Sequence, residues 1–150
     1  MEAVIKAFKE KFGNKAEEKI IDILLSALDP KTRIDVYLKT SEEYYSKALE
    51  EINKDLREAS EKIWGSCVQV VKAYAEKIGL EHYTHHDLEV VMNKVIKETK
   101  DQEILIGWST CLRFHANFYE GFMDNETFNQ YLRYVNVFLD KMKKLINEKG

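Results

Sequence analysis

Asp124–Leu145, DNETFNQYLRYVNVFLDKMKKL, decides the fold. Within it Phe128, Tyr131, Val135, Phe138, Met142 and Leu145 recur in unbroken steps of three and four. That spacing gathers side chains into one stripe of an α-helix, and no strand can present it on one face. Asp124 or Asn125 precedes the stripe as its N-cap. A seam this regular serves an intramolecular bundle or a two-fold dimer equally well, and the expectation is a bundle with a dimer added.

The same periodicity extends back through the chain. A helix over Ile104–Glu120 stops at Gly121, and another over Leu56–Ile78 stops at Gly79, both good C-terminal caps. Thr84 and Asp87 form a capping-box variant ahead of Leu88, Val91, Met92 and Val95. Asp29 and Pro30 read as N-cap and first helical residue of a helix whose seam is Ile34, Leu38, Ser41, Tyr45, Ala48 and Ile52, closed by a turn at Asn53–Asp55. Further back, Glu2–Phe12 places Val4 or Ile5, Phe8 and Phe12 on one face. Gly13-Asn14 ends that turn, and Ala16–Leu28 continues with Ile20, Ile21, Leu24 and Leu28. The expected architecture is all-α, an up-and-down bundle of six or seven helices forming a single domain, with a helical hairpin leader over residues 1–28 and the bundle over 30–148.

Composition agrees. One proline and six glycines in 150 residues are too few for a strand-and-turn architecture, where roughly seven and ten would be average. A hydrophobic share of 45% and a charged share of 33% describe a globular chain, and its longest apolar run, Ile20–Leu28, is broken by Asp22 and Ser26, so no membrane span is expected. With 23 basic against 26 acidic side chains there is no overall field to draw nucleic acid or an anionic membrane. The densest basic run, Lys141, Lys143 and Lys144, reads as a solvated helix face. Cys67 and Cys111 match no metal or CxxC spacing and read as small core hydrophobes kept reduced. The amphipathic, acid-containing start MEAVIKAFKEKFG is not an export signal, which suggests a cytoplasmic protein. Nineteen Lys and eighteen Glu beside three Gln lean towards heat-adapted composition.

No phosphate-loop, dinucleotide, nucleophile-elbow or HExxH signature is present, so neither a cofactor nor a catalytic set is indicated. Other residues stand out for position. On the Leu56–Ile78 helix, Glu61, Gly65 and Lys72 fall together on the rim of an apolar arc formed by Ile63, Trp64, Cys67, Val68, Val71, Tyr74 and Ala75. A mid-helix glycine costs about 1 kcal/mol against alanine, so Gly65 implies the close approach of another backbone or of a ligand; close helix packing with ordinary rim charges is the plainer alternative. His115 falls in the middle of an apolar arc with Trp108, Cys111, Leu112, Phe118 and Tyr119. It is expected to be largely buried and neutral, either as a satisfied core histidine or as part of a site. Asn117 and Glu120 project to the other side, near Arg113, as a solvated face. His82, His85 and His86 with Asp87 read as a polar loop beginning a helix rather than a zinc site.

Four of these segments, Ala59–Gly65 (ASEKIWG), Val71–Glu76 (VKAYAE), Thr84–Leu88 (THHDL) and His115–Gly121 (HANFYEG), together resemble the archaeal PaREP family. The resemblance spans residues 30–146. It implies a HEPN-like helical bundle, a class commonly found as dimers, and an archaeal source. HEPN-like domains include metal-independent ribonucleases, with an Arg followed four to six residues later by a His, and non-catalytic nucleotide- or substrate-binding modules. Here Arg113 and His115 are two apart and diverge by about 200° around a helix, so they do not reach one phosphate from the same face.

Three readings follow. The first is a non-catalytic HEPN-like dimer that binds a nucleotide, an RNA element or a protein partner through a groove lined by Glu61, Gly65, Lys72, His115, Asn117 and Tyr119, with stacking by Trp64, Tyr74 or Tyr119 in place of a basic surface. The second is a ribonuclease or toxin–antitoxin component of atypical motif, with His115 as acid or base and Lys72 or Arg113 holding phosphate. The third is a purely structural or assembly protein.

Overall fold

A computed structural model describes residues 1–149. Seven α-helices follow in order: α1 (Glu2–Phe12), α2 (Ala16–Leu25), α3 (Pro30–Glu51), α4 (Leu56–Ile78), α5 (His85–Thr99), α6 (Gln102–Glu120) and α7 (Asn125–Asn147), with a short 3-10 turn at Gly13–Lys15 between the first two. Among the described residues there is no strand. The arrangement is the expected up-and-down helical bundle.

The helix limits are set by local chemistry. The Asp29 side chain accepts from the Thr32 amide with Pro30 at the first helical position, and Asp55, Asp101 and Asp124 cap α4, α6 and α7 in the same way. Thr84 and Asp87 form the reciprocal capping box. Gly79 and Gly121 end α4 and α6 with φ of 74° and 63°, a left-handed turn that suits glycine.

Helix α4 is the centre of the molecule. Thirteen of its 23 residues are buried, on more faces than an amphipathic surface helix hides, because α3, α6, α7 and α5 all pack around it. The α3–α4 contact is close: the Ser41 and Ser66 hydroxyls each bond the other residue's backbone carbonyl, at 2.8 and 2.9 Å. Helix α7 buries Phe128, Val135, Phe138 and Met142 of its seam, with Leu132, Leu139 and Ile146 widening the stripe and Tyr131 and Leu145 at its edges.

Several sequence expectations change. Cys67 and Cys111, expected as reduced thiols, are joined in a buried disulfide that ties α4 to α6, their Cα atoms 6.4 Å apart. Lys72, expected on a rim, is fully buried. On α2 the inward face is Ala16, Asp22 and Leu25, whereas Leu24 and Leu28, expected inside, are exposed; the helix rotates to carry Asp22 to Lys72. His82 is buried too, rather than part of a solvated loop.

Candidate functional site

Glu61, Trp64 and Val68 recur on α4 in steps of three and four and so share one face. His115 and Tyr119, one turn apart on α6, face them. The Trp64 and His115 rings stack with centroids 4.7 Å apart and planes inclined by 25°. His115 Nδ1 lies 3.3 Å from Glu61 Oε2, and Tyr119 meets His115 edge-on at 5.4 Å. His85, in the first turn of α5, lies with its ring centroid 5.9 Å from that of Trp64.

These rings wall a groove of about 230 Å³. Its far side comes from the N-terminal hairpin, where Lys15, Lys19, Glu18 and Asp22 line it and Asn14 donates to the Tyr119 hydroxyl at 3.1 Å. Tyr83 and Thr84, at the start of α5, complete the mouth.

Beneath the groove lies a charged cluster. Lys72 Nζ contacts Asp22 Oδ2 at 2.9 Å and Glu18 Oε1 at 3.8 Å, and donates to the His82 carbonyl. The Tyr37 hydroxyl donates to the other Asp22 oxygen at 2.8 Å. Burial raises the Glu18 carboxyl above its ordinary pKa, with the Lys72 ammonium opposing. Burial lowers the pKa of His82, and Lys72 adds to that effect; neither of its ring nitrogens has a hydrogen-bond partner.

Glu61, His115 and Tyr119 therefore converge on one groove, and Gly65 borders a smaller chamber beside it. Gly65 packs against the Tyr44 ring of α3, where an added Cβ would meet Tyr44 Cγ at 3.3 Å. His115 is half-buried, its side chain 27% exposed, not sealed in the core. Lys72 and Asn117 lie outside the groove lining. Asn117, expected on a solvated face, is fully buried: its Nδ2 donates to Ser60 Oγ at 2.7 Å, and its Oδ1 accepts from the Met123 amide at 2.8 Å, latching the α6–α7 connection. Arg113 is committed to α7, bonding the Tyr131 hydroxyl and lying over the Phe122 and Tyr131 rings. Lys15, Lys19 and Tyr83 were not singled out by sequence, because only the fold carries them to the groove.

The fold and site define an all-α bundle with one aromatic-walled polar groove between its core helices and its N-terminal hairpin. The chain belongs to the Archaeal PaREP1/PaREP8 family, whose sequence model matches residues 36–139. No curated protein and no solved structure matches it. No helix among the described residues is long and apolar enough to cross a membrane.

Proposed function

We propose that this chain is a non-catalytic, HEPN-like binding module whose groove takes a single nucleoside or mononucleotide. The observation that carries the reading is the ring of Trp64, Tyr83, His115 and Tyr119 around a groove of about 230 Å³ with Lys15 and Lys19 on its lip. Such a volume lies just below the usual range for drug-sized ligands and suits one heterocycle with its sugar. Aromatic faces stack on any base, and the lysines with the N-terminus of α5 favour a single phosphate.

An RNA strand fits less well. Glu18, Asp22 and Glu61 line the same groove, and a net charge of -3 supplies no field along a polyanion. In this reading the hairpin over residues 1–28 is a leader that closes one wall of the groove, and two copies pair as a homodimer. A heat-adapted archaeal cytoplasm accommodates both the Lys- and Glu-rich composition and the Cys67–Cys111 bond, since intracellular disulfides are frequent in such organisms.

The test is titration of the full chain with adenosine, cytidine, guanosine, uridine and their monophosphates, followed by tryptophan emission and thermal shift. Saturable quenching by at least one of them supports the reading. No saturable response across the panel removes it. Light scattering on the same sample decides the homodimer.

A further inference from the structure

Across the ridge made by Glu61 and Trp64, a second chamber of about 80 Å³ opens between α2, α3 and α4. It has room for roughly three waters' worth of atoms, too little for a ring. Glu17 and Glu18 of α2 and Glu61 of α4 line it, against one lysine, Lys62. Gln69, one turn beyond Gly65, lines it as well; it is 1% exposed, and its Oε1 has no hydrogen-bond partner. A buried acceptor left open is costly, so an unpaired one beside a chamber marks a place where a donor belongs.

The chamber thus offers acceptors, negative charge and the ring surfaces of Tyr44 and Trp64. Its carboxylates are spread along two helices, and among the described residues no three His, Cys, Asp or Glu side chains are grouped to hold a metal ion. Dispersed charge with aromatic faces suits an organic cation, whose methylenes lie on the rings while its N–H groups reach separate acceptors.

We infer that this chamber binds the ammonium end of an aliphatic amine. Gln69 Oε1 accepts from the ammonium, Glu17 and Glu18 supply the countercharge, and Tyr44 and Trp64 flank the chain. The site goes beyond the nucleoside reading and does not need it, because the amine binds alone.

Titration calorimetry of the full chain at low ionic strength, with the diamine putrescine and separately with the diol of the same chain length, tests the assignment. Saturable binding of putrescine, none of the diol, and an affinity about tenfold weaker in Glu17→Gln and in Gln69→Leu are expected. Glu17 is exposed, so its variant folds even if the Gln69 variant does not, and Glu50→Gln on α3, outside the chamber, binds as wild type. Failure of wild type to bind putrescine, equal binding of the diol, or an unchanged affinity in Glu17→Gln overturns the proposal.

Discussion

Lys72 Nζ on α4 stands 2.9 Å from Asp22 Oδ2 on α2, and both side chains are buried. Few backbone contacts hold α2 to the bundle, so this pair, with Leu25 packed into the core, docks the hairpin that forms one wall of the groove.

Asp22→Asn therefore keeps a neutral amide oxygen beside Lys72 but removes the adjacent countercharge, leaving the buried ammonium with the His82 carbonyl and the distant Glu18 carboxylate. Removing one partner of a buried pair costs about 3–5 kcal/mol, and the remaining Glu18 contact puts the expectation at the lower end. Urea unfolding measures it. Replacing both residues, as Asp22→Leu with Lys72→Met, should recover most of the loss, because the uncompensated charge is gone. A single-variant cost under about 1 kcal/mol is incompatible with a sealed pair.

His82 makes stability depend on pH. Its folded pKa is lowered, first by burial and then by Lys72, with Asp22 and Glu76 opposing. The unfolded chain, at the ordinary value near 6.5, takes up a proton that the folded site resists. Its contribution is thus present above that value and lost as pH falls below it. Comparing urea midpoints at pH 7.5 and 5.5, wild type should lose more than His82→Gln. Glu18, shifted upward, acts in the opposite sense but equally in both proteins. Parallel pH profiles would exclude the effect.

The seam of α7 and the caps at Asp29, Thr84, Gly79 and Gly121 were legible in sequence because each depends on neighbours within one or two turns. Lys72, Asn117 and His82 were not. A helical projection gives the direction in which Lys72 points but not that Asp22, fifty residues earlier, waits there to neutralise it. Asn117 likewise projects away from the apolar arc, yet Ser60 and the amide of Met123 come to meet it. The disulfide was hidden for the same reason: Cys67 and Cys111 are 44 residues apart, and no local spacing encodes the meeting of α4 and α6. Of the proposed site, the Glu61, His115 and Tyr119 face could be read, but its hairpin wall could not.

Of the two mid-helix glycines, Gly107 on α6 is more tightly packed than Gly65 on α4. A Cβ at Gly107 would run into Phe138 Cβ on α7, while one at Gly65 meets only the Tyr44 ring. Gly107→Ala should destabilise by up to about 2 kcal/mol net, an overpacking cost of about 1–3 kcal/mol less a helix-propensity gain of about 1 kcal/mol. Gly65→Ala should be close to neutral. Thermal denaturation of the two variants ranks them, and the reverse order contradicts the packing at α6–α7.

The Cys67–Cys111 bond closes a loop with a sequence separation of 44, for which chain-entropy arguments give about 4 kcal/mol. Aerobically purified protein, unfolded without reductant, should take up no thiol-alkylating reagent, and the mass should rise by two hydrogens on reduction. The Cys67→Ala, Cys111→Ala double variant should melt lower than the oxidised wild type. Full alkylation of the unreduced protein would falsify the cross-link.

Tyr119 offers the cleanest probe of the groove, since the residue is 53% exposed and contributes little to the core. Tyr119→Ala removes one aromatic wall, the acceptor for Asn14 and the edge contact to His115, while the Trp64 ring stays stacked on His115. Nucleoside binding should weaken by about tenfold, the scale of one lost stacking contact, with the melting temperature nearly unchanged. His115→Ala should weaken binding further, because it removes the ring stacked on Trp64 and frees the Glu61 carboxylate to repel a phosphate. If both variants bind as wild type, the ligand sits elsewhere and these aromatic residues serve only to pack the helices together.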